Sequence, residues 1–161
     1  MMNSRTEVHA KPAAIAQRSD WLGVLSRSVP GELKALAADL VSDVAFERLR
    51  APSVGLVMVR GRAGGTGNVF NLGEMTVTRA SVQLTDGTVG HGYVQGRDKQ
   101  QAELTAIVDA LLQQPKRHDE IKSKIIEPLR QNAEARRIEN SRKAASTKVD
   151  FFTMVRGENV A

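Results

Sequence analysis

The chain contains no cysteine. That excludes a disulfide framework, thiolate catalysis and a cysteine-bound zinc site. Aromatic residues are scarce, with four Phe, one Trp and one Tyr among 161 residues, so the core must be built from aliphatic side chains. No apolar run approaches the length that spans a bilayer. The first twenty residues, MMNSRTEVHAKPAAIAQRSD, lack the apolar stretch of a signal peptide. The expectation is a soluble cytoplasmic protein with no membrane partner. His9, His91 and His118 stand far apart in the sequence. No nucleophile is accompanied by a partner base, and no residues are spaced as a metal-ligand cluster. No catalytic residue and no metal ligand is therefore assigned, which points away from a self-sufficient enzyme.

What the chain does have is a globular composition, 41% hydrophobic and 25% charged, over a length that suits one domain around one core. Its net charge of +5 is unevenly placed. Residues 116–148 hold ten basic and five acidic groups, whereas residues 1–115 hold twelve and eleven. Such a segment attracts an acidic partner or nucleic acid, or it is simply a solvated helix face. No aromatic residue interleaves the basic ones, which favours the solvated face and no nucleic-acid partner. The alternative, a stand-alone anion- or nucleic-acid-binding scaffold, rests on this segment.

The pattern along the chain reads as an α+β fold: a small, mostly antiparallel sheet of three to four strands flanked by helices. Residues 1–13 are a polar, aperiodic tail, and 14–161 form one domain. Trp21, Leu22 and Leu25 mark a short helix near 14–27. Ser28, Pro30 and Glu32 supply a capping oxygen, a first-turn proline and an acid at the positive end of a second helix. Its stripe is Leu33, Leu36, Ala37, Leu40 and Val41. Val44–Arg50 is a candidate strand stopped by Pro52, and Val54–Arg62 is a β-branched, well-buried strand. Glu74–Leu84 is the next strand, but its apolar phase slips between Val77 and Val82. The slip signals a bulge near Arg79–Ala80 or a strand buried on both faces. Asp86-Gly87 turns the chain into a return strand, Thr88–Gln95. Asp98 caps a helix, with Gln101 completing a capping box, and Leu104, Ile107, Val108, Leu111 and Leu112 form its inner face. Another helical pattern starts near His118, and Pro128 breaks it or starts a new helix. Residues 129–147 form a long polar helix with little to bury.

Val149–Gly157 (VDFFTMVRG) is an apolar, extended segment. It has two outlets: an edge strand on its own sheet, or strand addition to a partner. In the second case residues 149–161 are a docking extension, with Asp150, Phe151, Phe152, Met154 and Arg156 as its interface.

One stretch carries candidate anion chemistry. Gly61-Arg62-Ala63-Gly64-Gly65-Thr66-Gly67 lets backbone N–H groups approach an anion, with charge from Arg60 and Arg62. It matches neither GK[ST] nor GxGxxG before a helix, so Gly64, Gly65 and Gly67 also answer to turn geometry alone. Arg60 and Arg62 share one strand face. With Arg79 and Arg97 they make an anion surface if their strands are neighbours; otherwise they pair with Glu74, Asp86 and Asp98 or face solvent. Arg60, Arg62, Gly64, Gly65, Thr66, Gly67, Arg79 and Arg97 are thus the candidate phosphate contacts.

RGRAGGTGNVFNLGEMTVTRASVQLTDGTVGHGYVQGRDKQQAE followed by VDFFTMVRGEN resembles the PhnG family of the bacterial phosphonate carbon–phosphorus lyase system. The segments TRASVQLTDGT, VQGRDKQ and DFFTMVRG carry the likeness, from about Trp21 onward. The resemblance implies a subunit of a hetero-oligomeric core with PhnH, PhnI and PhnJ. With PhnH, PhnI and PhnL it supports transfer of an alkylphosphonate onto ATP with displacement of adenine, giving ribose 1-phosphonate 5-triphosphate. It also implies no cofactor on this chain. ATP is a substrate of the complex, and the iron–sulfur cluster and S-adenosylmethionine belong to the PhnJ partner. A non-catalytic or site-completing subunit, inactive alone, fits the missing machinery.

Overall fold

The computed structural model describes residues 13–146. The chain folds as α1 (Ala13–Ser26), α2 (Pro30–Val41), β1 (Phe46–Arg62), β2 (Val69–Leu84), β3 (Val89–Gln95), α3 (Lys99–Leu112), α4 (Pro115–Ile121) and α5 (Glu127–Ser146). The three strands form one antiparallel sheet in the order β1-β2-β3. Helices pack on one of its faces, so this is an α+β fold with a long C-terminal helix. Ala13, which composition places in the tail, already opens α1.

The core is aliphatic, as the scarcity of aromatics requires; Trp21 is the one buried aromatic among the described residues. On the sheet side it is formed by Thr78, Ala80, Val82 and Leu84 of β2, with Val94 of β3, all buried. The helix side comes from Leu25, Leu33 and the apolar stripe of α3. Helix α3 sits very close to β3. A methyl group at Gly92 would overlap the Ala102 carbonyl oxygen and lie 3.1 Å from the Ala106 nitrogen. One at Gly90 would overlap the Ala106 carbonyl oxygen and lie 2.8 Å from the Ala110 Cβ. Two glycines on the strand thus match Ala102, Ala106 and Ala110, spaced four apart along one helix face.

Several local expectations take a different form. Pro52 does not stop a strand. Phe46–Arg62 is one 17-residue strand, because β1 lies at the sheet edge, where a missing N–H is tolerated. The phase slip on β2 is not a bulge at Arg79–Ala80 but the second alternative, burial on both faces; the bulges lie on β1. The register shifts between Arg48 and Arg50 and again between Arg50 and Ser53, opposite Arg79–Val82, while the β2–β3 ladder runs without a shift. Strand β2 is therefore regular there, with Val77 buried on one face and Thr78 on the other. Val54–Arg62 is not buried: Val54, Leu56 and Met58 are 43%, 61% and 52% exposed.

Ser28 is not the cap of α2. Val29 occupies that position without a side-chain bond, and the Ser28 hydroxyl donates to the Leu25 carbonyl at 2.8 Å. Asp98 does cap α3, accepting from the Gln101 N–H at 2.9 Å. The Gln101 side chain does not return to close the box; it donates to the Ser28 carbonyl at 2.7 Å and ties α3 to the start of α2. The β2–β3 connection is a three-residue loop, with Leu84 N–H donating to the Thr88 carbonyl and Gly87 at φ 87°.

Helix α4 starts at Pro115, three residues before His118. A π turn over Lys122–Ile126 then leads into α5. Pro128 does not end a helix: it falls two residues past the π turn, inside a helical run that continues unbroken from α4 into α5. Leu129 is the buried residue of α5, and Ile138 is 45% exposed. Two ion pairs, Arg130 with Asp20 and Arg136 with Glu32, hold α5 to α1 and α2.

Candidate anion site on the open sheet face

Among the described residues helices cover one face of the sheet, and strand pairing dictates what the other face presents. Arg50 lies opposite Ser81, and Ser81 opposite His91. In the next row Ser53 lies opposite Arg79, and Arg79 opposite Tyr93. Directly paired residues share a face, so Arg50, Arg79, Ser81, His91 and Tyr93 lie together. The two bulges in β1 bring Arg50 onto this face, while Arg48 turns to the helix side. There Arg48 binds Glu103 at 2.8 and 2.9 Å. That hydrogen bond, followed by the charge of Glu103, raises the Arg48 pKa.

Neither the Arg50 nor the Arg79 side chain makes an ion pair or hydrogen bond with a described residue. The Arg79 guanidinium rests over Gly55, whose own Cβ would lie 3.3 Å from Nη2. Ser81 Oγ and His91 Nδ1 are 2.9 Å apart. No described residue supplies the third group that orients a catalytic imidazole. The face is suited to binding: two guanidinium groups with hydroxyl and imidazole donors beside them fit a multiply charged oxyanion.

The position of His91 is set from below by Asp109, which is fully buried on α3. One Asp109 oxygen accepts from Trp21 Nε1 at 2.9 Å and Arg18 Nε at 3.2 Å. The other accepts from Arg18 Nη2 at 2.7 Å and the His91 backbone N–H at 2.8 Å. A buried carboxylate thereby joins α1, β3 and α3, with its charge met by one arginine.

The anion candidates read from the sequence do not form one cluster. Arg60 and Arg62 lie on the same side of β1 as Val54, which is paired with the core-facing Thr78. Arg79 is on the opposite side. Arg60 is paired with Asn71, eight residues along β2 from Arg79, a span of about 27 Å at strand rise. Arg97 is exposed in the loop after β3, at a 270 Å³ depression shared with Arg27 and Asp98. The glycine-rich turn joins two strands. Gly64 and Gly65 have φ of 57° and 81°, which explains glycine at both. Arg62 Nη1 donates to the Gly67 carbonyl at 3.1 Å, and the Gly67 N–H donates to the Ala63 carbonyl at 2.8 Å. Thr66 follows the single helical turn Ala63–Gly65. Asp86 and Asp98 do not serve these arginines; Asp86 binds Thr88 and Gln114, and Asp98 caps α3. Asp150, Phe151, Phe152, Met154 and Arg156 lie outside the described residues.

Arg50 and Asp109 are centres that the sequence pattern does not single out. A signal for the open face does exist in it: once Asp86-Gly87 sets the hairpin register, Ser81 must oppose His91 and Arg79 must oppose Tyr93.

The profile of the phosphonate metabolism protein PhnG matches residues 16–157. The chain belongs to the PhnG family. It is 45% identical over 148 residues to a protein of Rhizobium meliloti (strain 1021), covering 91% of this chain and 94% of the relative. That relative is the alpha-D-ribose 1-methylphosphonate 5-triphosphate synthase subunit PhnG. The match to the family spans the whole sheet, the glycine turn and α5, so the open face and the β1–β2 projection both belong to the shared fold.

Proposed function

We propose that this chain is the PhnG-type subunit of a ribose 1-methylphosphonate 5-triphosphate synthase in organic phosphonate catabolism. The 45% identity to a subunit of that name, over nearly the full length of both chains, carries the reading. In it, the chain works in the cytoplasm with PhnH, PhnI and PhnL to place an alkylphosphonate on ATP. Adenine leaves from C1′ as the phosphonate oxygen bonds there. A PhnJ-type partner, with its iron–sulfur cluster and S-adenosylmethionine, cleaves the carbon–phosphorus bond of the product.

The chain itself completes the assembly and does not perform the displacement. The open sheet face supports a contact with a phosphate-bearing group through Arg79 and Arg50. The test is adenine release from ATP and methylphosphonate by the co-purified subunits with this chain present, omitted, or carrying Arg79→Ala. Omission should abolish release, and Arg79→Ala should raise the apparent KM severalfold. Full release without this chain would refute the subunit reading. Unchanged kinetics with Arg79→Ala would refute the contact. Arg62→Ala tests the turn in the same assay.

A further inference from the structure

Beyond Thr76 the sheet narrows to two strands. The β2–β3 ladder ends at Val77–Gln95, where the Gly96 N–H donates to the Thr76 carbonyl at 2.9 Å. The chain then leaves the sheet through Gly96 at φ 94°. From there β1 and β2 continue as a ribbon to Arg62 and Val69, closed by the glycine turn. Both edges of the ribbon are without a strand partner among the described residues. Five of the eleven exposed large hydrophobic residues among those described lie on this arm, and a sixth, Val54, lies at its base.

They occupy both of its faces. Leu56 and Met58 share one side, in line with Val54 at the base. Phe70 and Leu72 lie on the other, beside Gly61, whose Cβ would touch both. Leu56 and Leu72 are 61% and 64% exposed. A strand that is apolar on both sides is the pattern of one buried on both sides, and bare apolar edges are a liability unless covered. The run VGLVMV therefore has the composition of an interior strand, and no described residue covers it.

Charge selects the occupant. From Arg50 to Arg79 the chain carries four arginines and a single carboxylate, Glu74. An isologous pair of arms would set this excess against itself whichever way the two copies ran, because arginines stand at base and tip. We infer that the arm is the element by which this chain docks into a different subunit of the synthase. The surface that receives it is an apolar cleft with carboxylates at its mouth opposite Arg60 and Arg62. The inference rests on the subunit reading above.

The experiment co-expresses the full chain with the other synthase subunits and purifies through a tag on one of them. Leu56→Asp with Leu72→Asp should lower recovery of this chain at least tenfold, and Arg60→Glu with Arg62→Glu should lower it and make it rise at low pH. Ile138→Asp, at an exposed apolar site on α5, should be recovered in full. Amide exchange on the wild-type chain gives a readout independent of folding defects: residues 56–62 and 69–76 should gain protection on assembly. Recovery of the arm variants at the wild-type level, or no gain of protection in the arm while the wild type is recovered, overturns the docking inference alone. Failure to recover the wild type overturns the subunit reading and this inference with it. Self-association of the isolated chain that Leu56→Asp abolishes would assign the arm to a second copy and overturn it too.

Discussion

The tight approach of β3 to α3 offers the sharpest test of the fold. Gly92→Ala adds one methyl group between β3 and α3, where the Ala102 carbonyl oxygen already occupies the space and the Ala106 nitrogen is 3.1 Å away. Both obstacles are backbone, so no side-chain rotation can relieve the overlap. The strand and helix must separate, and that opens the layer of Ala80, Val82, Ala102 and Ala106 beneath them. Overpacking of a tight core costs about 1–3 kcal/mol, and with backbone on both sides the upper end applies. A loss of about 3 kcal/mol in a chain of this length lowers the melting midpoint by roughly 6–12 °C. Gly73→Ala is the matched control: it is also a strand glycine, its φ is not positive, and nothing lies within 4 Å of its Cβ. The control should stay within about 0.5 kcal/mol of wild type. Thermal and urea denaturation followed by circular dichroism measure both. Equal midpoints for Gly92→Ala and Gly73→Ala would refute the claimed contact between β3 and α3.

Two further outcomes concern charge. Asp109→Ala removes the acceptor of Arg18, Trp21 Nε1 and the His91 N–H. Breaking a buried, hydrogen-bonded pair should cost about 3–4 kcal/mol in urea denaturation, and Asp109→Asn less, because it keeps one acceptor oxygen; a loss below about 1 kcal/mol for Asp109→Ala would contradict the anchoring role. Asp86 has its pKa lowered first by the Thr88 backbone N–H and then by the Thr88 and Gln114 side chains. A depressed carboxylate stabilises the fold above its unfolded value of about 4 and loses that contribution as pH falls through the folded value. The stability gap between wild type and Asp86→Ala should therefore be constant near neutrality and shrink below about pH 4; a gap independent of pH down to the acid transition would refute the assignment.

Features held by neighbours in the chain are legible in the amino-acid sequence alone. The Asp98 cap, the Asp86-Gly87 hairpin and the α3 stripe each depend on residues within one or two turns. Contacts between distant segments are not legible in this way. The carboxylate of Asp109 meets Arg18 and Trp21 across 91 and 88 residues, and no local pattern marks it. The bulges around Pro52 are not legible in β1, and the phase slip on β2 has another cause: that strand buries Val77 on one face and Val82 and Leu84 on the other. Arg79 stands out as a candidate, but its companions on the open face do not, since face-sharing across strands follows from register. Val54–Arg62 reads as buried because apolar, β-branched runs are written alike for a core and for an interface. The residues expected to dock through the C-terminal segment lie outside the described range, so the arm is the projection with visible geometry.

The π turn at Lys122–Ile126 has a consequence for everything downstream of it. Each helical residue advances the side-chain direction by about 100°, so the wider loop acts as a phase setting for α5. It lets Leu129 point inward while Arg130 and Arg136 meet Asp20 and Glu32. Shortening the loop by one position would rotate that whole rod against its seat, carrying both guanidinium groups off their acids without altering a single residue in α5.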